Sequence, residues 1–110
     1  MQSVSLSTLA DEQLAVARDA PARRAAHTVH GGQGCDLRQA VLALLAGCEL
    51  RDHESPGEAT LQVLRGQVKL STATETWEGG AGDLVTIPAG RHSLAAIEDA
   101  AVVLTVVRAH

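Results

Sequence analysis

The alternation of hydrophobic and polar positions changes character near residue 24. Before it, residues 11–20 place Leu14, Ala15 and Ala17 among helix formers, open with two acidic residues and end before Pro21, which predicts a short helix. After it, short stretches rich in Val and Leu alternate with Gly, Pro, Asp and Glu at spacings of about 8 to 12 residues. This second pattern predicts an all-β domain.

Strands are predicted near residues 24–30, 37–46, 58–65, 67–73, 75–79, 83–87, 92–97 and 101–108. Arg65-Gly66 and Glu98-Asp99 have the composition of tight turns. Residues 40–45, AVLALL, favour a helix by propensity, but the short run and its flanking glycines favour a strand. We therefore expect residues 1–23 to form an N-terminal segment with a short helix and residues 24–110 a single antiparallel β-barrel. The helix lies either against the barrel or on a partner subunit.

Composition narrows the range of functions. A chain of 110 residues suits one domain. The net charge is −4 and the nine Lys and Arg are scattered, so the chain lacks the basic stripe that nucleic acid requires. With one Trp and no Phe or Tyr, any pocket is expected to be aliphatic.

The cellular location of the protein is predicted from three further features. The longest apolar run, residues 40–47, is far shorter than the roughly 20 residues that span a bilayer. The first residues carry no secretory signal pattern. Cys35 and Cys48 are expected near opposite ends of one extended segment, too far apart for a disulfide. A cytoplasmic protein with two free thiols and no membrane partner is the expectation.

Two segments carry spaced glycines and histidines. Residues 47–66, GCELRDHESPGEATLQVLRG, place Gly47, His53 and Gly66 at intervals of six and thirteen positions. Residues 82–93, GDLVTIPAGRHS, contain Gly82, Pro88, Gly90 and His92 in a short run. Together these segments resemble the two signature motifs of the cupin superfamily, over about residues 36–108.

The resemblance implies a small jelly-roll-like barrel that is open at one end and often dimeric, so we expect a homodimer. In the family, three His and one carboxylate from the two motifs hold a divalent metal. In this chain His53 matches the first His of the first motif, and His92 matches the His of the second motif but comes one position early. Ser55 and Ala59 occupy the positions at which the first motif has its second His and its Glu. The implied metal site, for Zn, Fe, Mn or Ni, therefore keeps two candidate ligands, His53 and His92.

Several residues are candidates for a further metal ligand. His27 and His30 differ by an odd number of positions, so at most one should face the interior of a regular strand. Glu58 lies one residue from the vacant Glu position and is expected to point outward. Asp52 and Glu54 are expected in a loop beside His53. For all five, a solvated or hydrogen-bonded surface role is the commoner alternative.

Other polar residues suggest a ligand but no catalytic group. Arg38, Arg51 and Arg91 are candidates to bind a carboxylate at the barrel rim, because a guanidinium matches two oxygens. Ser93 beside His92 does not predict a catalytic dyad, since neighbouring strand residues point apart.

These observations lead to four candidate functions. The first is a pocket for a small, mostly aliphatic molecule, with His53 and His92 as polar anchors and a weak metal site. The second is a metal-dependent dioxygenase or isomerase. A sugar-nucleotide epimerase is disfavoured because the chain has no Tyr, and the fourth is a dimerising scaffold. The sequence identifies no catalytic residue and leaves open whether the protein is an enzyme.

Overall fold

The structure, a computed structural model, describes residues 1–54 and 57–108, without the side chain of Asp52. Within this part the chain forms one helix and nine strands. They are α1 (Leu6–Asp19), β1 (Arg24–His30), β2 (Leu37–Leu44), β3 (Glu49–Glu54), β4 (Ala59–Arg65), β5 (Gln67–Ser71), β6 (Thr76–Gly80), β7 (Leu84–Thr86), β8 (Arg91–Ala96) and β9 (Ala100–Val107).

The strands form two antiparallel sheets. The five-stranded sheet has the order β1-β2-β9-β4-β7, and the four-stranded sheet has the order β3-β8-β5-β6. Sequence neighbours often lie in different sheets, as in a jelly roll, where the chain crosses from one sheet to the other. The predicted all-β, jelly-roll-like barrel with a preceding helix is confirmed.

The core fills the space between the two sheets. Along β9, Val102 packs in this core while Ala101 belongs to a separate cluster on the opposite face, as strand alternation requires. The largest fully buried side chains are all aliphatic: Leu44, Leu61, Val41, Val63, Val68 and Val102. Trp77 packs at the edge of this core, and its ring lies where a side chain at Gly79 would otherwise be.

Helix α1 begins five residues earlier than predicted. Ser5 caps it, and the Ser5 hydroxyl accepts a hydrogen bond from the Thr8 amide at 3.3 Å. This is the standard role of a serine before the first helical turn, and the expectation based on acidic residues 11 and 12 missed it. The predicted end before Pro21 is confirmed, since the last helical residue is Asp19.

The helix lies on the outer face of the five-stranded sheet. Its buried residues are Ala10, Leu14 and Ala17, spaced on one helical face. They pack against Ala43 and Ala101, and these small side chains allow a close approach between helix and sheet. The sequence left open whether the helix lies against the barrel or on a partner subunit, and the structure places it against its own barrel. No described helix is long and apolar enough to cross a membrane.

Strand β3 was not predicted. Its sequence, ELRDHE, has Leu50 as its only apolar residue, so it lacks the alternation from which strands are recognised. It forms the edge of the four-stranded sheet and pairs with β8. The expectation that Asp52 and Glu54 lie in a loop is therefore wrong, because both belong to this strand.

Both cysteines are free thiols, as predicted. The Cys48 thiol donates a hydrogen bond to the Arg23 carbonyl at 3.3 Å. Cys48 also packs against both the inter-sheet core and the helix-facing cluster. It thus connects the segment after the helix with the interior of the barrel.

Replacement of Gly66 by Ala should destabilise the fold more than replacement of Gly82. Both glycines have positive φ, 76° and 93°, which costs an L-residue roughly 1–2 kcal/mol. A Cβ at Gly66 would also run into the Asp99 carbonyl and lie 2.9 Å from the Ala100 Cα, whereas a Cβ at Gly82 meets nothing within 4 Å. Urea denaturation of Gly66→Ala and Gly82→Ala measures the difference, and equal losses would contradict it.

Candidate functional site

A cavity of about 280 Å³ lies between the two sheets at one end of the barrel. Its walls are aliphatic and include Leu42, Leu61, Ile87 and Leu104. Its polar lining consists of His53, Glu54 and His92. We call this cavity the chamber, and the barrel end at which His53 and His92 lie we call the mouth. The chamber matches the aliphatic pocket predicted from the composition.

The two predicted metal ligands are brought together at the mouth. His53 on β3 lies directly opposite His92 on β8, so both side chains share one face of the sheet. The two ring centroids are 6.4 Å apart and the ring planes are inclined by 33°. His53 is exposed, whereas His92 is half-buried.

A β-bulge aims His53 into the chamber. Between the pair Leu50 and Leu94 and the pair His53 and His92, β3 advances three residues while β8 advances two. In a regular strand, an inward Leu50 would turn His53 to the outer face. The extra residue restores His53 to the inner face, as bulges near binding sites commonly do.

One nitrogen of the pair has no partner. The Nδ1 atom of His92 is buried, and no described residue forms a hydrogen bond with it. Leaving a buried polar atom unpaired costs roughly 1–3 kcal/mol. A polar atom on a bound molecule would relieve this cost.

The two imidazole rings are farther apart than two tetrahedral ligands of one metal ion would be. With a metal–nitrogen bond of about 2.1 Å, an imidazole centroid lies about 3.2 Å from the ion, so two ligands in tetrahedral arrangement have centroids about 5.2 Å apart. The observed 6.4 Å exceeds this by about 1 Å. Among the side chains described, no group of three or more His, Cys, Asp or Glu is placed to hold an ion. The described side chains therefore do not make up a tetrahedral metal site.

The candidate third ligands have different positions. Glu54 lines the chamber but is exposed. The exposed Glu58 lines an adjoining groove, which shares Glu54 and Ile87 with the chamber. The expectation that Glu58 points outward agrees with its neighbour Ala59, which is buried in the core. Ser55 and the side chain of Asp52 lie outside the described part of the chain.

His27 and His30 do not line the chamber. His27 lies opposite Val41 and His30 opposite Gln39, because the register shifts between Thr28 and His30. Since Val41 and Gln39 are two positions apart, both histidines share the side of the sheet that faces away from the core. The expectation that they face opposite sides is wrong, and an irregularity in the strand is the reason.

Solved structures similar to this chain have one architecture. A conserved protein of unknown function from Streptococcus pyogenes is 30% identical, with a TM-score of 0.72 over 83% of this chain and 79% of that one. A cupin superfamily protein from Desulfitobacterium hafniense has a TM-score of 0.72 at 11% identity, covering 78% of each chain. An RmlC-like cupin from Desulfovibrio desulfuricans has a TM-score of 0.66 at 22% identity, covering 76% of this chain and 81% of that one. No protein-family model and no curated protein matches the chain.

The chamber wall is also part of the core, so truncating it should be costly. Leu61 is 2% exposed and lines the chamber, whereas Leu84 on the neighbouring strand is 65% exposed. We expect Leu61→Ala to lower the free energy of unfolding by about 2–5 kcal/mol and Leu84→Ala to change it by less than about 0.5 kcal/mol. Chemical denaturation of both variants tests this, and a small effect at Leu61 would mean that the wall carries little packing energy.

Proposed function

Because this chain belongs to the cupin superfamily and its barrel encloses an aliphatic chamber, we propose that it binds a small aliphatic molecule there. The polar group of that molecule lies between His53 and His92. The observation that carries this proposal is the buried Nδ1 of His92, which has no hydrogen-bond partner among the described residues and lies at the end of a mostly aliphatic cavity. Binding pockets typically combine such apolar walls with a few converging polar groups.

The chamber volume limits the size of the ligand. At roughly 30 Å³ per water-sized group, 280 Å³ accommodates about nine non-hydrogen atoms. This lies just below the roughly 300–1,000 Å³ of pockets for drug-sized ligands. A molecule of about six carbons with one or two oxygens suits this space.

The spacing of the histidines suits an oxygen. With hydrogen bonds of about 2.9 Å, an oxygen bonded to both rings lies about 4 Å from each centroid. Centroids 6.4 Å apart then subtend about 105° at that oxygen, close to the tetrahedral angle of a hydroxyl group. A neutral imidazole has one donor and one acceptor nitrogen, so the pair can serve both functions of a hydroxyl.

Linear alcohols test the chamber directly. Each CH₂ group buried in the chamber should add about 0.8 kcal/mol, or about fourfold in affinity, until the space is full. We expect 1-hexanol to bind more tightly than 1-butanol, and 1-decanol to lose this gain. Calorimetry and thermal shift on the purified chain measure the series, since a bound ligand raises the unfolding temperature.

A histidine variant tests the polar anchor. His92→Ala should weaken 1-hexanol binding by about 5- to 10-fold, because a hydrogen bond contributes about 1 kcal/mol. Ser93→Ala is the matched control, since Ser93 lies opposite Ser71 on the other face of the same strand. No binding of any alcohol would overturn the proposal, and equal effects of the two variants would remove His92 from the site.

A metal-dependent cupin enzyme of the dioxygenase or isomerase type is the alternative. The pairing of His53 and His92 favours it, but the described side chains supply no third ligand. Our proposal expects well under one equivalent of Zn, Fe, Mn or Ni after incubation and desalting, measured by elemental analysis. One equivalent that disappears in His53→Ala would overturn our proposal of a weak metal site and establish the metal site that the alternative requires.

The homodimer implied by the family resemblance stays a prediction. A homodimer has twice the 11.4 kDa mass of the chain. Size-exclusion chromatography with light scattering measures this mass in solution. A mass of one chain across the micromolar range would contradict it.

A further inference from the structure

A second cavity, of about 290 Å³, adjoins the chamber at the mouth. Leu104 and Val106 line both cavities, so the two share a wall formed by β9. The second cavity extends from this wall towards β1, β2 and the loop that joins them. A molecule in the chamber therefore has room to extend in this direction.

The polar lining of the second cavity differs from that of the chamber. It consists of Thr28, His30, Arg38 and Gln39, together with the loop glycines Gly31 and Gly32. Thr28 and Arg38 start from the inner side of the sheet and supply donors there. His30 and Gln39 start from the outer side, and the Gln39 amide donates a hydrogen bond to the Thr105 hydroxyl at 3.2 Å. No carboxylate among the described side chains lines the cavity. The chemistry of this lining suits an anion.

Arg38 is oriented by the strand and the loop. It lies opposite Val106, so it starts from the inner side of β2, on the same side as Leu42. Gly31 lies against its stem, with the position of a Gly31 Cβ 3.4 Å from the Arg38 Cγ and 3.6 Å from its Cα. The backbone of Gly31 has a φ of 145°, which a residue with a side chain rarely adopts.

Arg38 differs from the other two arginines proposed for the rim. Arg51 is paired with Glu49 at 3.2 Å, and Arg91 lies opposite Glu54 on the neighbouring strand. Among the side chains that the structure describes, no carboxylate forms an ion pair with Arg38. Its guanidinium is thus available for a ligand.

The charges around the mouth are unevenly distributed. Arg38 lies on the β1–β2 side, whereas Glu54 lines the chamber from the β3 side. Arg91 lies opposite Glu54 and reduces its repulsion of an anion, whereas Arg38 attracts an anion to the β1–β2 side. This difference favours the orientation in which the anionic group of a ligand lies at Arg38.

From these features we infer that Arg38 binds the carboxylate of the molecule that occupies the chamber, so that the ligand is a small aliphatic hydroxy or oxo acid. This inference rests on the proposed function, because it places the aliphatic body in the chamber and the second oxygen between His53 and His92. One guanidinium matches the two oxygens of a carboxylate in a bidentate arrangement.

The test compares acids with uncharged partners of equal length. 6-Hydroxyhexanoate and 4-hydroxybutanoate are each measured by calorimetry against 1,6-hexanediol and 1,4-butanediol at low ionic strength. We expect at least one acid to bind about tenfold more tightly than its diol, as charge-assisted hydrogen bonds predict. The preference should diminish as salt is added.

Arg38→Gln should abolish the preference, because it weakens binding of the acid far more than binding of the diol. Arg24→Gln is the matched control, because Arg24 is an exposed arginine at the opposite end of β1, paired with Leu44. Thermal unfolding of both variants verifies that they fold.

The outcomes separate this inference from the proposed function. Diols that bind as tightly as both acids, or a preference that survives in Arg38→Gln, overturn the role of Arg38 and leave the chamber as a site for neutral molecules. If neither acids, diols nor simple alcohols bind, the proposed function fails and the inference fails with it.

Discussion

The fixed separation of the two sheets is the constraint on which the rest of this structure depends. Facing sheets pack about 10 Å apart, and the side chains between them must fill that space. In this chain the filling is aliphatic, with Leu44, Leu61, Val63 and Val68 closely packed in the interior. Towards the mouth the last inward pair on β3 and β8 is His53 and His92 instead of Leu50 and Leu94. With no Phe or Tyr to fill the remaining width, the mouth retains a cavity.

Irregularities in an otherwise regular barrel decide which side of a sheet its histidines face. The bulge in β3 returns His53 to the inner face, and the register shift in β1 turns His30 to the outer face, the same side as His27. Because hydrogen bonds of the neighbouring strands hold both irregularities, the positions of these side chains follow from backbone pairing more than from their own contacts.

The sequence predicted most of the architecture because most strands obey simple alternation. β1 was predicted with its observed bounds, and Gly66, which was predicted in a tight turn, has a positive φ of 76°. β3 was not predicted because the sequence of this charged edge strand shows little alternation of apolar and polar residues. The pairing of His53 with His92 was suggested by motif spacing, but the bulge that makes it possible depends on the partner strand. The second cavity was not predicted because β9 forms one of its walls, and β9 is distant in sequence from β1, β2 and the loop that joins them.

The placement of the single tryptophan gives this protein a built-in optical reporter. Trp77 lies opposite Leu70 on the inner side of the four-stranded sheet, and Leu70 is itself part of the chamber wall. Because no tyrosine or phenylalanine is present, ultraviolet emission from the chain comes from this one indole ring. The emission wavelength of Trp77 depends on the polarity and packing of its surroundings at Gly79 and Leu70. Changes inside the barrel are thus readable in the native chain without a label.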